Sequence, residues 1–165
     1  MKLKQCIILI VLTGSLLNAC KNNTKTAIMS TTNNNAIFPR GDKLTNEYFS
    51  GSAYLTPLLA KDPNNNFAIG SVAFEPGART NWHTHPKGQV LIIIEGQGWY
   101  QERGKPAQAI RKGDVINIPE NVEHWHGASA GNSMTHVAIT NYEAEQNVVW
   151  LKPVSAEEYA SVNKK

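Results

Sequence analysis

Cysteine is nearly absent from this chain: two in 165 residues, Cys6 and Cys20, both near the amino terminus. That excludes a disulfide framework and thiol chemistry for everything that follows, so the fold must hold by its core. Charge is sparse as well, at 18% of residues with a formal net of +3, and setting Lys2 and Lys4 aside leaves +1. No basic cluster remains, which argues against a nucleic-acid partner. The apolar stretch Cys6 to Leu17 is twelve residues long, too short to cross a bilayer as a helix. There is no internal repeat and no sign of a second domain.

Lys2 and Lys4 precede that stretch as a basic n-region would precede the h-region of a signal peptide. It ends in Leu17-Asn18-Ala19-Cys20, which resembles the bacterial lipobox. The resemblance implies that residues 1–19 are a lipoprotein signal peptide and that Cys20 is acylated. It places the mature protein in the cell envelope, exported and lipid-anchored to a membrane. A plain cleaved signal with secretion is the alternative. Residues 20–36 are rich in Asn and Thr with little to bury, and read as a flexible tether. The domain proper is expected over 37–165.

From Phe38 onward, short β-rich runs are punctuated by Gly, Pro and Asn every eight to twelve residues or so, the pattern of an all-β domain. Strands are predicted at 53–59, 67–74, 90–95, 98–101, 107–110, 114–118, 123–125 and 134–141. Turns are predicted at 62–66, 95–98 and 103–106. Val90-Leu91-Ile92-Ile93-Ile94 is apolar on both faces, which predicts a strand buried on both sides. It would be either central in its sheet or covered by a second subunit. Ser155-Ala156-Glu157-Glu158 has capping-box spacing and predicts a short helix ending near Val162.

The chemistry lies in the histidines. His83 and His85 are two residues apart, and so are His124 and His126; His136 follows on the next predicted strand. In an extended strand, residues i and i+2 face the same way. Pro86 and Gly88 can reverse the chain and bring Gln89 back towards the first pair. All five histidines fall in two such pairs plus one partner, which suits a first-row divalent metal better than a set of unrelated core imidazoles.

Gly77-(five)-His83-x-His85-(three)-Gln89-(six)-Gly96 and Gly113-(five)-Pro119-x-Asn121-(two)-His124-(three)-Ala128 resemble the two motifs of the cupins. The resemblance implies a double-stranded β-helix (jelly-roll) barrel with a short C-terminal helix. It implies metal ligands at His83, His85, Gln89 and His124. Gln89 stands where the motif usually has Glu; its neutral oxygen leaves the cation's charge undiminished but retains it less tightly. Asn121 replaces a Gly and tolerates the positive φ such a turn needs; Ala128 replaces an Asn that is not a ligand. Phe74-Glu75-Pro76-Gly77-Ala78-Arg79-Thr80, Trp82-His83-Thr84-His85-Pro86 and His124-Trp125-His126-Gly127-Ala128 look more particularly like the manganese-dependent cupin hydroxynitrile lyases. They also look like cupins related to carboxymuconolactone decarboxylase-like proteins. This places His126 and His136 inside the barrel without binding the metal.

The donor types favour Mn(II) or Fe(II) and by themselves leave Ni, Co, Zn and Cu open; the resemblance puts Mn(II) first and Fe(II) next. His126 is the candidate general acid–base, and His136 either shares that role or orients substrate; the alternative for both is to hold a ligand in place. Arg79, on the parity of His83, is expected to face the barrel mouth and bind an anionic substrate; the alternative is a rim Arg in water or an ion pair. Trp82 and Trp125, on the opposite parity, should point away from the metal. Three functions compete. The first is a metal-dependent lyase or isomerase acting on a small organic molecule. The others are an Fe(II) dioxygenase, and a lipoprotein that binds metal or ligand without turnover. A homo-oligomer, dimer or larger, is expected.

Overall fold

The computed structural model describes residues 36–45 and 47–163. The expected signal peptide, nearly all of the tether and Cys20 lie outside the described residues. In chain order come β1 (Asp42–Lys43), β2 (Phe49–Ser50), β3 (Ala53–Leu59), β4 (Phe67–Phe74), β5 (Arg79–Thr80) and β6 (His83–Thr84). Then follow β7 (Gln89–Glu102), β8 (Gln108–Arg111), β9 (Val115–Ile118), β10 (His124–Ala128), β11 (Met134–Asn141), β12 (Val149–Trp150) and helix α1 (Ala156–Val162). The longer runs match their sequence expectation closely. The two-residue strands escaped it because two residues carry no periodicity.

Pairing is antiparallel throughout, in the order β1-β3-β4-β11-β7-β10-β5-β2, with β6, β8, β9 and β12 attached along it. The sheet curls into an all-β jelly roll, and β7 is the strand that makes it curl. Its first half pairs with β11 and β9, its second half with β8 and β10. The turn predicted at 95–98 is therefore not a turn; the strand continues through it. The register against β11 slips between Thr135 and His136, so that Ile94 has no opposite residue. Such a bulge bends a strand and lets it serve two sheet faces. Gly96 sits at φ 72°, open to glycine at little cost. At Gly98 a side chain would collide with the Gly127 carbonyl across the pair. Gly98→Ala is accordingly expected to lower unfolding stability by roughly 2 kcal/mol through forced separation of β7 and β10; a thermal melt equal to that of the parent protein would contradict this.

β7 is central, as one of the two sequence readings had it, but only one of its faces is fully buried. Gln89, Leu91 and Ile93 point inward, while Val90, Ile92 and Ile94 are half-buried outside. β11 alternates in the same way: Met134, His136, Ala138 and Thr140 are buried and their neighbours are not. The barrel interior thus holds both kinds of residue. Leu91, Ile93, Ile110, Ile116 and Met134 belong to one apolar core, and the inward-facing Gln89, His126, His136 and Thr140 line a shared cavity.

β10 is buried on both faces. His124 and His126 point inward, and Trp125 points outward into a second cluster with Trp82 and Val154, beneath Tyr159 and Val162 of α1. The two tryptophans therefore face away from the histidines, as parity required. The Ser155 hydroxyl accepts from the Glu158 N–H, and the Glu158 carboxylate accepts from the Ser155 N–H at 2.7 Å. That capping box starts the helix where the sequence placed it.

Candidate metal centre

Strand β6 is short, but its pairing brings the site together. His83 lies directly opposite His124 of β10 and opposite Trp150 of β12. Directly paired residues share a face, and the rings of His83 and His124 approach to 4.1 Å between centroids. The His85 ring stands 5.0 Å from His83 and 5.4 Å from His124. After it the chain reverses: the Gly88 N–H donates to the His85 carbonyl at 3.2 Å, with Gly88 at φ 72°. The same carbonyl accepts from the Asn121 N–H at 2.9 Å, and Asn121 takes φ 58°, the left-handed conformation expected there. Gln89 is thereby returned to the face of the histidines, at the start of β7.

Each imidazole is turned by a backbone carbonyl. Nδ1 of His83 bonds Asn81 O at 2.9 Å, Nδ1 of His124 bonds Val122 O at 2.9 Å, and Nδ1 of His85 bonds Asn147 O at 2.5 Å. A carbonyl can only accept, so each Nδ1 carries the proton and each Nε2 keeps its lone pair. Gln89 Nε2 donates to Thr140 Oγ1 at 2.9 Å, which turns Oε1 the other way. Among the described residues, Oε1 of Gln89 and Nε2 of His85 and His124 are buried without a hydrogen-bond partner. Buried acceptors left unpaired are costly, and a cation held by the grouped imidazoles would satisfy those of His85 and His124.

The electrostatics agree. Burial pushes the pKa of His124 down to about 4, that of His83 well below the ordinary value and that of His85 downward. For His83, the neighbouring imidazoles add to the burial effect. The three rings are neutral at pH 7, the form that binds metal. Their donor atoms lie within 4.8 Å of one another, so His83, His85 and His124 form a group that could hold a divalent ion.

Beside this group lies a chamber of about 400 Å³. His126 and His136 face it, their rings 4.8 Å apart and edge to face. Phe74 closes on both, at 5.9 Å and 5.5 Å. Nδ1 of His126 and both nitrogens of His136 are buried and unpartnered among the described residues. Burial lowers the pKa of both, that of His136 to about 3. The remaining wall is largely apolar, with Leu55, Pro57, Val72 and Ala138.

Arg79 does not take the place the sequence suggested. Its guanidinium donates to the carbonyls of Gly77 and Val154 and lies 4.4 Å over the Tyr159 ring, on the helix side of the sheet. The residue of β5 that lines the chamber is Thr80, whose hydroxyl donates to the His126 carbonyl and accepts from the His126 N–H, both at 3.2 Å. Parity failed because Asn81 and Trp82 break the strand between Arg79 and His83. Sequence reasoning also missed Thr140, Asn147 and Lys61. Thr140 was within reach, since it shares the face of His136 on β11; the other two carry no local signal.

Residues 70–140 match the Cupin domain family. The chain belongs to the cupins, and its three-histidine group is drawn from both of the motifs that resemble theirs. It is 42% identical over 113 residues to a protein named (R)-mandelonitrile lyase from Granulicella tundricola, covering 68% of this chain and 86% of the relative. The structure resembles that of a cupin-like protein from Thermotoga maritima with a TM-score of 0.74 and 44% identity, covering 78% of this chain and 98% of the other. A cupin-2 domain from Rhodospirillum rubrum shares the fold at a TM-score of 0.56 and 18% identity, over 75% and 82% of the two chains.

Proposed function

We propose that this protein is a metal-dependent lyase of the hydroxynitrile lyase kind, cleaving a cyanohydrin reversibly into an aldehyde and hydrogen cyanide. The observation that carries the reading is the chamber. It sets an imidazole pair, His126 and His136, between a three-histidine group and an apolar wall of a size for a small organic molecule. The relative named as a mandelonitrile lyase supports it.

His83, His85 and His124 would hold the cation with the Gln89 amide oxygen, Mn(II) by preference and Fe(II) next. A cation held there would supply a Lewis acid to the chamber. The chain's own residues do the rest. Neutral His126 accepts the hydroxyl proton as the bond to the nitrile carbon breaks; the bond electrons leave with cyanide, which takes the proton back from the imidazolium. His136, edge-on to His126, orients the substrate, and Thr80 holds the His126 backbone. Phe74 and Val72 exclude water from the apolar side.

The test is mandelonitrile offered to metal-stripped and Mn(II)-loaded protein, with benzaldehyde release followed with and without oxygen. Metal-dependent release at equal rates in both atmospheres is the expected result. Oxygen uptake in step with substrate loss would replace the lyase by a dioxygenase.

The envelope location belongs to the same proposal and rests on Leu17-Asn18-Ala19-Cys20. Cells fed a labelled fatty acid are expected to label the parent protein and not Cys20→Ser. Equal labelling of both would remove the anchor.

A further inference from the structure

Two of the three histidines are held by their own surroundings. His83 and His124 each bond a carbonyl two residues earlier, so whatever builds their strands also orients them. His85 is different. The carbonyl on its Nδ1 belongs to Asn147, 62 residues away, at the end of a segment that is exposed from Glu143 to Gln146.

That segment is folded on itself and pinned from one side. Glu143 and Gln146 exchange backbone hydrogen bonds at 2.8 Å and 3.0 Å, with Ala144 at φ 53° between them. Lys61, arriving from the end of β3, donates its ammonium to the Ala144 carbonyl at 2.6 Å and to Glu145 Oε1 at 2.7 Å. Its Nζ also lies 5.1 Å from the centre of the Tyr142 ring. Lys61, Tyr142, Asn147 and Val148 all line the chamber, so the segment is both a wall of the chamber and the support of His85.

We infer that Lys61 is a positioning residue: by pinning the Glu143–Gln146 turn, it seats the Asn147 carbonyl on His85 and so holds one metal donor in register with the other two. The two bonds of the ammonium are not equivalent. The Glu145 side chain is 90% exposed, and an ion pair in water contributes little. The bond to the Ala144 carbonyl acts on the backbone that leads directly to Asn147. Outer partners of metal-binding histidines commonly change affinity by ten- to a hundredfold. A buried Nδ1–H deprived of its acceptor leaves its ring free to turn.

The inference rests on His85 being a metal donor, and the experiment separates the two claims. Mn(II) affinity is measured by competition with a chromogenic chelator for the parent protein, Lys61→Met and Glu145→Gln. Met keeps the apolar stem along the chamber and removes the ammonium. The Zn(II)-loaded proteins, which are diamagnetic, are then compared for the slowly exchanging Nδ1–H proton signals of their histidines by NMR. Lys61→Met is expected to weaken Mn(II) binding by about tenfold and to lose the His85 signal, with those of His83 and His124 kept as internal controls. Glu145→Gln is expected to stay within about twofold of the parent. If Lys61→Met binds Mn(II) as tightly as the parent and keeps the His85 signal, the positioning role is overturned while the metal centre stands. If all three histidine signals are lost together, Lys61 supports the fold generally and the inference fails as well. If the parent protein binds no divalent metal, both readings fall.

Discussion

His126→Ala is expected to lower kcat/KM for cyanohydrin cleavage by on the order of a thousandfold, the range for losing a positioned general base, and to leave metal content unchanged. His126 is well placed for that split. It is not one of the three clustered donors, yet its ring lies 5.3 Å from His83 and 4.8 Å from His136. Its Nδ1 has no partner among the described residues, and its backbone is held by Thr80. Burial, reinforced by His136 and the other imidazoles, keeps its pKa well below the ordinary value, so it meets substrate as a neutral base. Metal analysis beside steady-state kinetics checks both halves. Undiminished turnover would remove His126 from the reaction; lost metal would make it a support of the centre. A variant at His83 is expected to do the reverse and lose metal and activity together, since it deletes one of the three imidazoles grouped where a metal could be held.

Acid is expected to destabilise the metal-free protein well before it protonates the histidines of the fold. All five histidines are buried, and burial lowers each pKa from the ordinary 6.5. In the unfolded chain they titrate near 6.5, so below that pH the unfolded state binds more protons than the folded one. Stability then rises with pH and falls as pH drops from about 6.5 towards the folded values. His124, with a folded value of about 4, by itself removes roughly 1 kcal/mol on going from pH 7 to about pH 5.5. The other four act in the same direction. A melting temperature that falls steadily between pH 7 and pH 5, and falls less with Mn(II) bound, is the expected record. A metal that binds the folded state would oppose this loss by mass action. An apo protein equally stable at pH 5 and pH 7 would mean that the histidines are not buried as a neutral set. The depressed values also move the acid limit of metal binding. Protons should compete for the folded site below the ordinary imidazole range, not from pH 6.5 downward.

The chain's local grammar determined a good deal. His124 and His126 share a face of β10 because side chains alternate along any extended strand, whatever surrounds it. His85, one residue past the end of β6, lines the same cavity as His83. The glycines, prolines and asparagines that punctuate the strands act on the backbone where they stand. So did the Ser155–Glu158 capping box, complete within four residues, and the left-handed Asn121. These are interactions over a few residues, and a sequence displays them in full.

What tertiary structure decided were matters of continuity and of distant partners. Parity can be counted only along an unbroken strand, so Arg79, separated from His83 by Asn81 and Trp82, faces the helix and Thr80 faces the chamber. Gly96 and Gly98 read as a turn, yet β7 bends through them because β11 and β10 hold its two halves. The carbonyl that turns His85 comes from Asn147, and the lysine that steadies it from position 61. Neither residue announces itself, because a backbone carbonyl looks the same at every position until the fold brings one to a ring that needs it.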